Sequence, residues 1–459
     1  MDTSQIYMLR IGFGRSLKNK QSIQSYINDM LNHSFKAERP EFIRTDEEVF
    51  DLFQKRKNLS KEETMALQKE DRKRLRKLQA WWINRMYFAE NPLQEKMVLF
   101  WHNHFVSSYL KVNNTTYMFS QNNLFRNNAF GNFKELTKAV LYDNAMLVYL
   151  DNKQNKAGAP NENLSRELLE LFTLGIGNYS EADIKEGARA LAGLSEHIGK
   201  GHYVPKKEDN NTKTYLGVTG NLKADDLVEA IFKHPKAANR ITEKLINYFI
   251  TDEPDQKMID QYAKYLRDQN FEIKPLLKKM FSDVDIKKFN GAKIKDPLVF
   301  LLQSYDVVGF QKIPVKPSLN FLKNQGMDLF IPPNVKGWDG GRAWLDSGKL
   351  IARNAAINFM FNPPAPKKQT PDTMNMNEEE FPEDANPFVA HITWSNKCKT
   401  NLDIINEFSD KLIFDVDNQM QQDMEKIIKY DFDPNSQNAE DAVKLLVRYM
   451  LRTPQFQIV

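Results

Sequence analysis

Long stretches of this chain interleave apolar and polar residues at helical spacing. Leu164, Leu168 and Leu171 form one core-facing stripe, while Asn163, Arg166, Glu167 and Glu170 follow i, i+3, i+4, i+7 spacing and form a polar stripe on the same helix. Start and stop signals divide the pattern into elements. Ser60 can cap a helix running to Tyr87, with Glu63 placed to close a capping box. Asn91-Pro92 opens the next, with proline at the first helical position. Helices are predicted over Phe133–Leu150, over Asn161–Leu174 with Gly175 as the C′ glycine, and from Ser180 to about Leu194. Others follow at Asp225–His234, Ile241–Phe249, Asp255–Gln269, Ile273–Phe281, Pro297–Val308, Leu402–Leu412 and Ala439–Leu451.

The fold expected is therefore mainly α, a multi-helix globular protein with a small β-hairpin-like excursion around residues 195–220. There His202-Tyr-Val and Thr212-Lys-Thr-Tyr-Leu flank the turn-prone Asp209-Asn-Asn211. The expected organisation is an N-terminal helical domain over 1–194, the insertion 195–220 and a second helical portion over 221–361. A proline-rich, acidic linker at 362–387 and a helical tail at 388–459 complete it. Phe330 to Leu345 stands apart: an aromatic, glycine-rich loop holding Trp338 and Trp344, two of six tryptophans.

Composition narrows the classes. Apolar content of 41% with 11% aromatic residues suffices for a real core, and 64 basic against 60 acidic residues leaves a net charge of only +4. That balance argues against a nucleic-acid binder. The basic run Arg72–Lys77 is offset by Glu62, Glu63, Glu70 and Asp71 and reads as a solvated helix face. A single cysteine, Cys398, excludes an intramolecular disulfide and a cysteine zinc cluster, and is a poor nucleophile candidate. No window approaches ~18 uninterrupted apolar residues, so no transmembrane helix is expected. No charged leader followed by an apolar stretch opens the sequence; a cytoplasmic location is the default, with the periplasm left open.

Several stretches, in order along nearly the whole chain, resemble the bacterial domain-of-unknown-function family 1800. They include Leu9-Arg-Ile-Gly-Phe-Gly, Pro92-Leu-Gln-Glu-Lys-Met, Phe100-Trp-His-Asn-His-Phe and Gln121-Asn122. Further along are Gly131-Asn-Phe, Ala145-Met-Leu-Val-Tyr-Leu-Asp-Asn, Asn161-Glu-Asn, Arg166-Glu-Leu-Leu-Glu-Leu-Phe-Thr-Leu-Gly and Ala188-Arg-Ala-Leu. Lys213-Thr-Tyr-Leu-Gly, Pro332-Pro-Asn-Val-Lys-Gly-Trp and Thr453-Pro-Gln-Phe-Gln close the series. The resemblance implies no settled biochemical role. It does imply a partner, a sulfatase-like companion protein encoded nearby. Many relatives carry His-Asp before the Lys-Thr-x-Leu-Gly segment, where this chain has Glu208-Asp209.

Polar and ionisable groups inside apolar helices are costly, so they serve either a site or a paired network. In Asn91–Phe105, His102 and His104 point about 200° apart on a helix and cannot share one metal, whereas Glu95 and His102 share a face. The expected enzyme is a hydrolase, metal-dependent or acid/base, acting on a carbohydrate or a peptide-derived polymer. Glu95, His102, His104, Arg166, Glu167 and Glu170 would be its catalytic residues, with Arg166 holding an anionic group. His102 and Glu167 are the candidate ligands of a divalent transition metal, and Asn163, Trp338 and Trp344 the substrate contacts. The Glu-x-x-His signature of carboxylate-bridged metal pairs is absent from both stretches. Three bland readings stand beside these: an intrahelical Glu162–Arg166–Glu170 ladder, Asn161 and Asn163 as caps, and His102 or His104 hydrogen-bonded to a carbonyl in the core. The alternative from another class is a non-catalytic helical adaptor whose aromatic loop docks the sulfatase-like companion.

Overall fold

The longest helix, Lys61–Tyr87, starts where its capping residues place it. Ser60 accepts the Glu63 N–H at 3.1 Å and Glu63 accepts the Ser60 N–H at 2.7 Å. The computed structural model describes residues 1, 3–14, 22–55, 58–362, 390–429 and 431–459. Apart from Asn362, the linker expected at 362–387 lies outside them. Among the described residues there are 21 α-helices, and the β-strands lie in the 194–220 region, with isolated bridges elsewhere. Two antiparallel pairs form there: Leu194–Ser195 with His202–Tyr203, and Lys213–Tyr215 with Val218–Gly220. Buried apolar side chains from Ile6 to Val459 join into one core cluster.

The helix expected over Phe133–Leu150 is two helices, Phe133–Leu141 and Asn144–Tyr149. Asp143 makes the break. Its carboxylate accepts the Met146 N–H at 2.8 Å and caps the second helix, and it also accepts Gln121 Nε2 at 2.7 Å. Burial pushes this carboxyl up to about 7, with those hydrogen bonds pulling the other way. The Asn161–Leu174 helix also changes character. It is α only over Asn163–Glu167, then π over Leu168–Thr173, and it ends at Gly175 with φ +83°.

Helix Pro92–His104 runs through the core beside helix Thr115–Asn127, and Glu95 ties the two together. Arg126 meets it in a two-pronged ion pair at 2.7 and 2.9 Å, Arg85 adds a third bond at 2.6 Å, and Trp82 Nε1 donates at 3.2 Å. Burial raises the Glu95 pKa, but the two arginines outweigh it and hold the group ionised. At the other end of the core, residues 293–295 pair antiparallel with residues 457–459, and buried Arg10 donates to the carbonyls of Phe289 and Val459. That pairing fixes the backbone of Lys293.

Two outcomes are expected. Removing one partner of a buried charge pair strands the other, so Glu95→Gln lowers unfolding free energy in urea by ~3–5 kcal/mol. Asp143 is held above its unfolded value, so the folded chain keeps a proton that the unfolded chain has lost between about pH 4 and pH 7. Stability from this group falls as pH rises through that window and is level above it. Asp143→Asn removes the slope, gaining on the wild type by at most ~1.4 kcal/mol per pH unit in urea melts taken across the window.

Candidate functional site

Two stretches far apart in sequence meet at the end of helix Pro92–His104, through backbone as much as side chains. His104 Nε2 lies 3.0 Å from the carbonyl oxygen of Phe172, inside the π-turn. A carbonyl only accepts, so Nε2 carries the hydrogen and Nδ1 presents a lone pair. Lys244 Nζ sits 3.1 Å from that Nδ1 and 3.3 Å from the carbonyl of Leu171, to which Arg240 Nε also donates at 3.1 Å. The π-turn leaves these carbonyls unused within the helix. Cations at a helix C-terminal end are favourable there.

Lys244 opens onto a cleft of about 470 Å³. Phe100, Trp338 and Trp344 give it aromatic walls; Lys293, Asp252, Asp296, Lys336 and Asp339 give it charge. Lys293 is ion-paired with Asp252 and donates to the carbonyl of Asn247. Behind the wall, buried Lys96 pairs with Asp296 at 3.3 Å. Burial lowers the Lys244 pKa to about 7, helped by Arg240 and opposed by Glu243. Burial also lowers Lys293 to about 8, against the pull of Asp252. His104 is driven well below its usual value by burial, Lys244 and Arg240, and stays neutral.

The aromatic loop is pinned by Asn103, the residue between the two histidines. Asn103 Oδ1 accepts the Trp338 N–H at 2.7 Å. Gly337 is required twice over: its φ is +90°, and a Cβ there would collide with Asn103 Oδ1.

Of the residues singled out from sequence, His104, Trp338 and Trp344 line the cleft and the others do not. Glu95 is consumed by Arg85 and Arg126. The His102 ring is boxed by Trp82, Phe330 and Trp338 at 5.3–5.4 Å, neither nitrogen has a hydrogen-bond partner among the described residues, and burial lowers its pKa to about 3. It is a core aromatic. Arg166 bridges Glu162 and Glu181, each at 3.1 Å, so the expected ladder stops short of Glu170, which accepts the Tyr179 hydroxyl. Asn163 is exposed, and its N–H is capped by Asn161. Glu167 is partly buried, its pKa raised by burial and Glu170 and lowered by Arg166 and Lys336. Among the described residues no group of three or more His, Cys, Asp or Glu side chains could hold a metal ion. Glu208 pairs with Lys223 at 2.8 Å. Cys398 donates to Glu407, and burial and that carboxylate push its thiol up to about 11.

Sequence reasoning missed Lys244, Lys293 and Asn103. One signal was available. Arg240, Lys244 and Tyr248 form an i, i+4, i+8 row flanking the apolar row Ile241, Leu245 and Phe249, which places Lys244 at the edge of the buried face.

Residues 6–458 match the model of the family described as protein of unknown function DUF1800, and the chain belongs to that family. Comparison with curated proteins and with solved structures finds no match. No helix among the described residues is long and apolar enough to cross a membrane.

The pinning of the loop predicts non-additivity. Gly337→Ala destabilises by ~1–3 kcal/mol through its φ and the clash, and part of that cost disappears in an Asn103→Ala background. Denaturant melts of the four proteins in the cycle measure it; strictly additive losses refute the contact.

Proposed function

We propose that this family member is an acid–base hydrolase with Lys244 as the group that moves the proton. One observation carries the reading: an amine between two acceptors, with no carboxylate partner among the described residues, facing a cleft of substrate size. A neutral amine has two N–H groups. His104 Nδ1 and the Leu171 carbonyl take both, so the lone pair occupies the remaining position. A pKa of about 7 lets that nitrogen gain and lose a proton at neutral pH.

In the hydrolysis proposed, the hydroxyl of water goes to the carbon of the scissile bond. The Lys244 ammonium delivers a proton to the leaving atom, and the exposed Asp339 carboxylate at the rim, without an ion-pair partner among the described residues, takes the proton from water. The aromatic walls suit sugar rings or a peptide-derived polymer. The adaptor reading needs the aromatic loop to face a sulfatase-like companion. Trp338 and Trp344 are 6% and 5% exposed, which favours the enzyme.

Limited acetic anhydride labelling across pH, mapped by mass spectrometry, tests the carrying observation. Lys244 is expected to titrate near 7, whereas ordinary lysines titrate near ~10.4. In a screen of glycans and peptidoglycan fragments for newly released ends, Lys244→Met and Asp339→Asn are each expected to lower kcat by ~10²–10⁴. An ordinary Lys244 midpoint, or turnover indifferent to Lys244→Met, defeats the proposal.

A further inference from the structure

The charges around the cleft do not cancel evenly. Lys293 is paired with Asp252, and Lys96 with Asp296, so those four groups satisfy one another. Lys244 and Lys336 have no carboxylate partner among the described residues, and Lys336 is exposed at the rim. Lys244 is faced by the His104 lone pair from helix Pro92–His104 and by the Leu171 carbonyl of the π-turn. From its own helix, Arg240 and Glu243 act on it with opposite signs. The enclosure therefore accepts hydrogen bonds, holds no carboxylate bonded to the amine among the described residues, and sets the Glu243 charge against a larger effect of Arg240.

We infer that the substrate carries an anionic group, a carboxylate, sulfate or phosphate ester on a sugar, which sits against Lys244 inside the cleft. The inference rests on the acid–base reading of Lys244 and adds the substrate class. An arriving anion supplies the missing counter-charge, and the amine takes up a proton. The ammonium keeps both existing hydrogen bonds and directs its third N–H to the ligand. Lys336 attracts the same charge at the mouth, against Asp339 beside it.

Tryptophan fluorescence of the full chain, titrated with glucuronate, glucose 6-sulfate, glucose 6-phosphate and glucose, tests this, because Trp338 and Trp344 line the cleft. At least one anion is expected to bind saturably at millimolar concentration, with glucose at least tenfold weaker; the preferred arm identifies the anion. For glucuronate or the sulfate, whose charge is constant, Kd is expected to rise up to about tenfold per pH unit above the Lys244 midpoint. Lys244→Met loses both the binding and the slope. Lys244→Arg keeps the binding with a flat profile, so a Met variant that fails to fold leaves the question answerable. Equal binding of glucose, a pH-independent Kd in the wild type, or no saturable anion binding overturns the inference. If labelling still places Lys244 near 7 in those cases, the acid–base reading stands alone; an ordinary midpoint removes both.

Discussion

The hydrogen bond from His104 Nε2 to the Phe172 carbonyl is the contact on which the cleft depends. It joins the two motif stretches and selects the tautomer of a neutral imidazole, and so decides that Nδ1 is an acceptor. Lys244 then has a reason to sit where it does. With the other tautomer, Nδ1–H would point at the amine's own hydrogens, and one buried polar group would be left unsatisfied at a cost of ~1–3 kcal/mol. The last turn of the π segment Leu168–Thr173 is the backbone feature that makes the bond available, because carbonyls at a helix C-terminal end have no donors within the helix.

Helix Pro92–His104 divides its polar groups by their position along its axis. Near its start, Glu95 and Gln94 are saturated: the first by Arg85, Arg126 and Trp82, the second by Phe35 and Arg126 backbone groups. These hold neighbouring elements together and have nothing left for a ligand. Near its end, Asn103 secures the aromatic loop and His104 orients Lys244. A rigid, internally paired first half is what holds the second half in register with the cleft.

Much of the helix pattern was legible because caps act locally. Ser60 with Glu63, Asn91 with Pro92, and Gly175 each mark a boundary through bonds made within a few residues. Asp143 is the same kind of signal, hidden because an apolar run surrounds it; its cap splits one expected helix into two. The meeting of the two motif stretches was also foreseeable, from polar groups that need company in a core. Which atoms meet was not. His104 finds a main-chain carbonyl, and a carbonyl is present at every position of any sequence, so no pattern of side chains reveals the pair. His102 looked equivalent to His104, yet the ~200° between them sends one into Trp82, Phe330 and Trp338 and the other toward the cleft. Lys244 was not singled out, because its partners come from residues 104 and 171.

Hydrogen-bond accounting at Lys244 separates proton transfer from covalent catalysis by the same amine. An imine on a lysine nitrogen has no N–H, and its protonated form has one. Either would abandon His104 Nδ1, the Leu171 carbonyl or both, in an enclosure where an unpaired acceptor is expensive. Accepting a proton adds a donor and removes none, so both existing bonds persist through the cycle. The surroundings are therefore matched to the amine and ammonium forms alike, and a group bonded equally well in two protonation states is suited to passing between them.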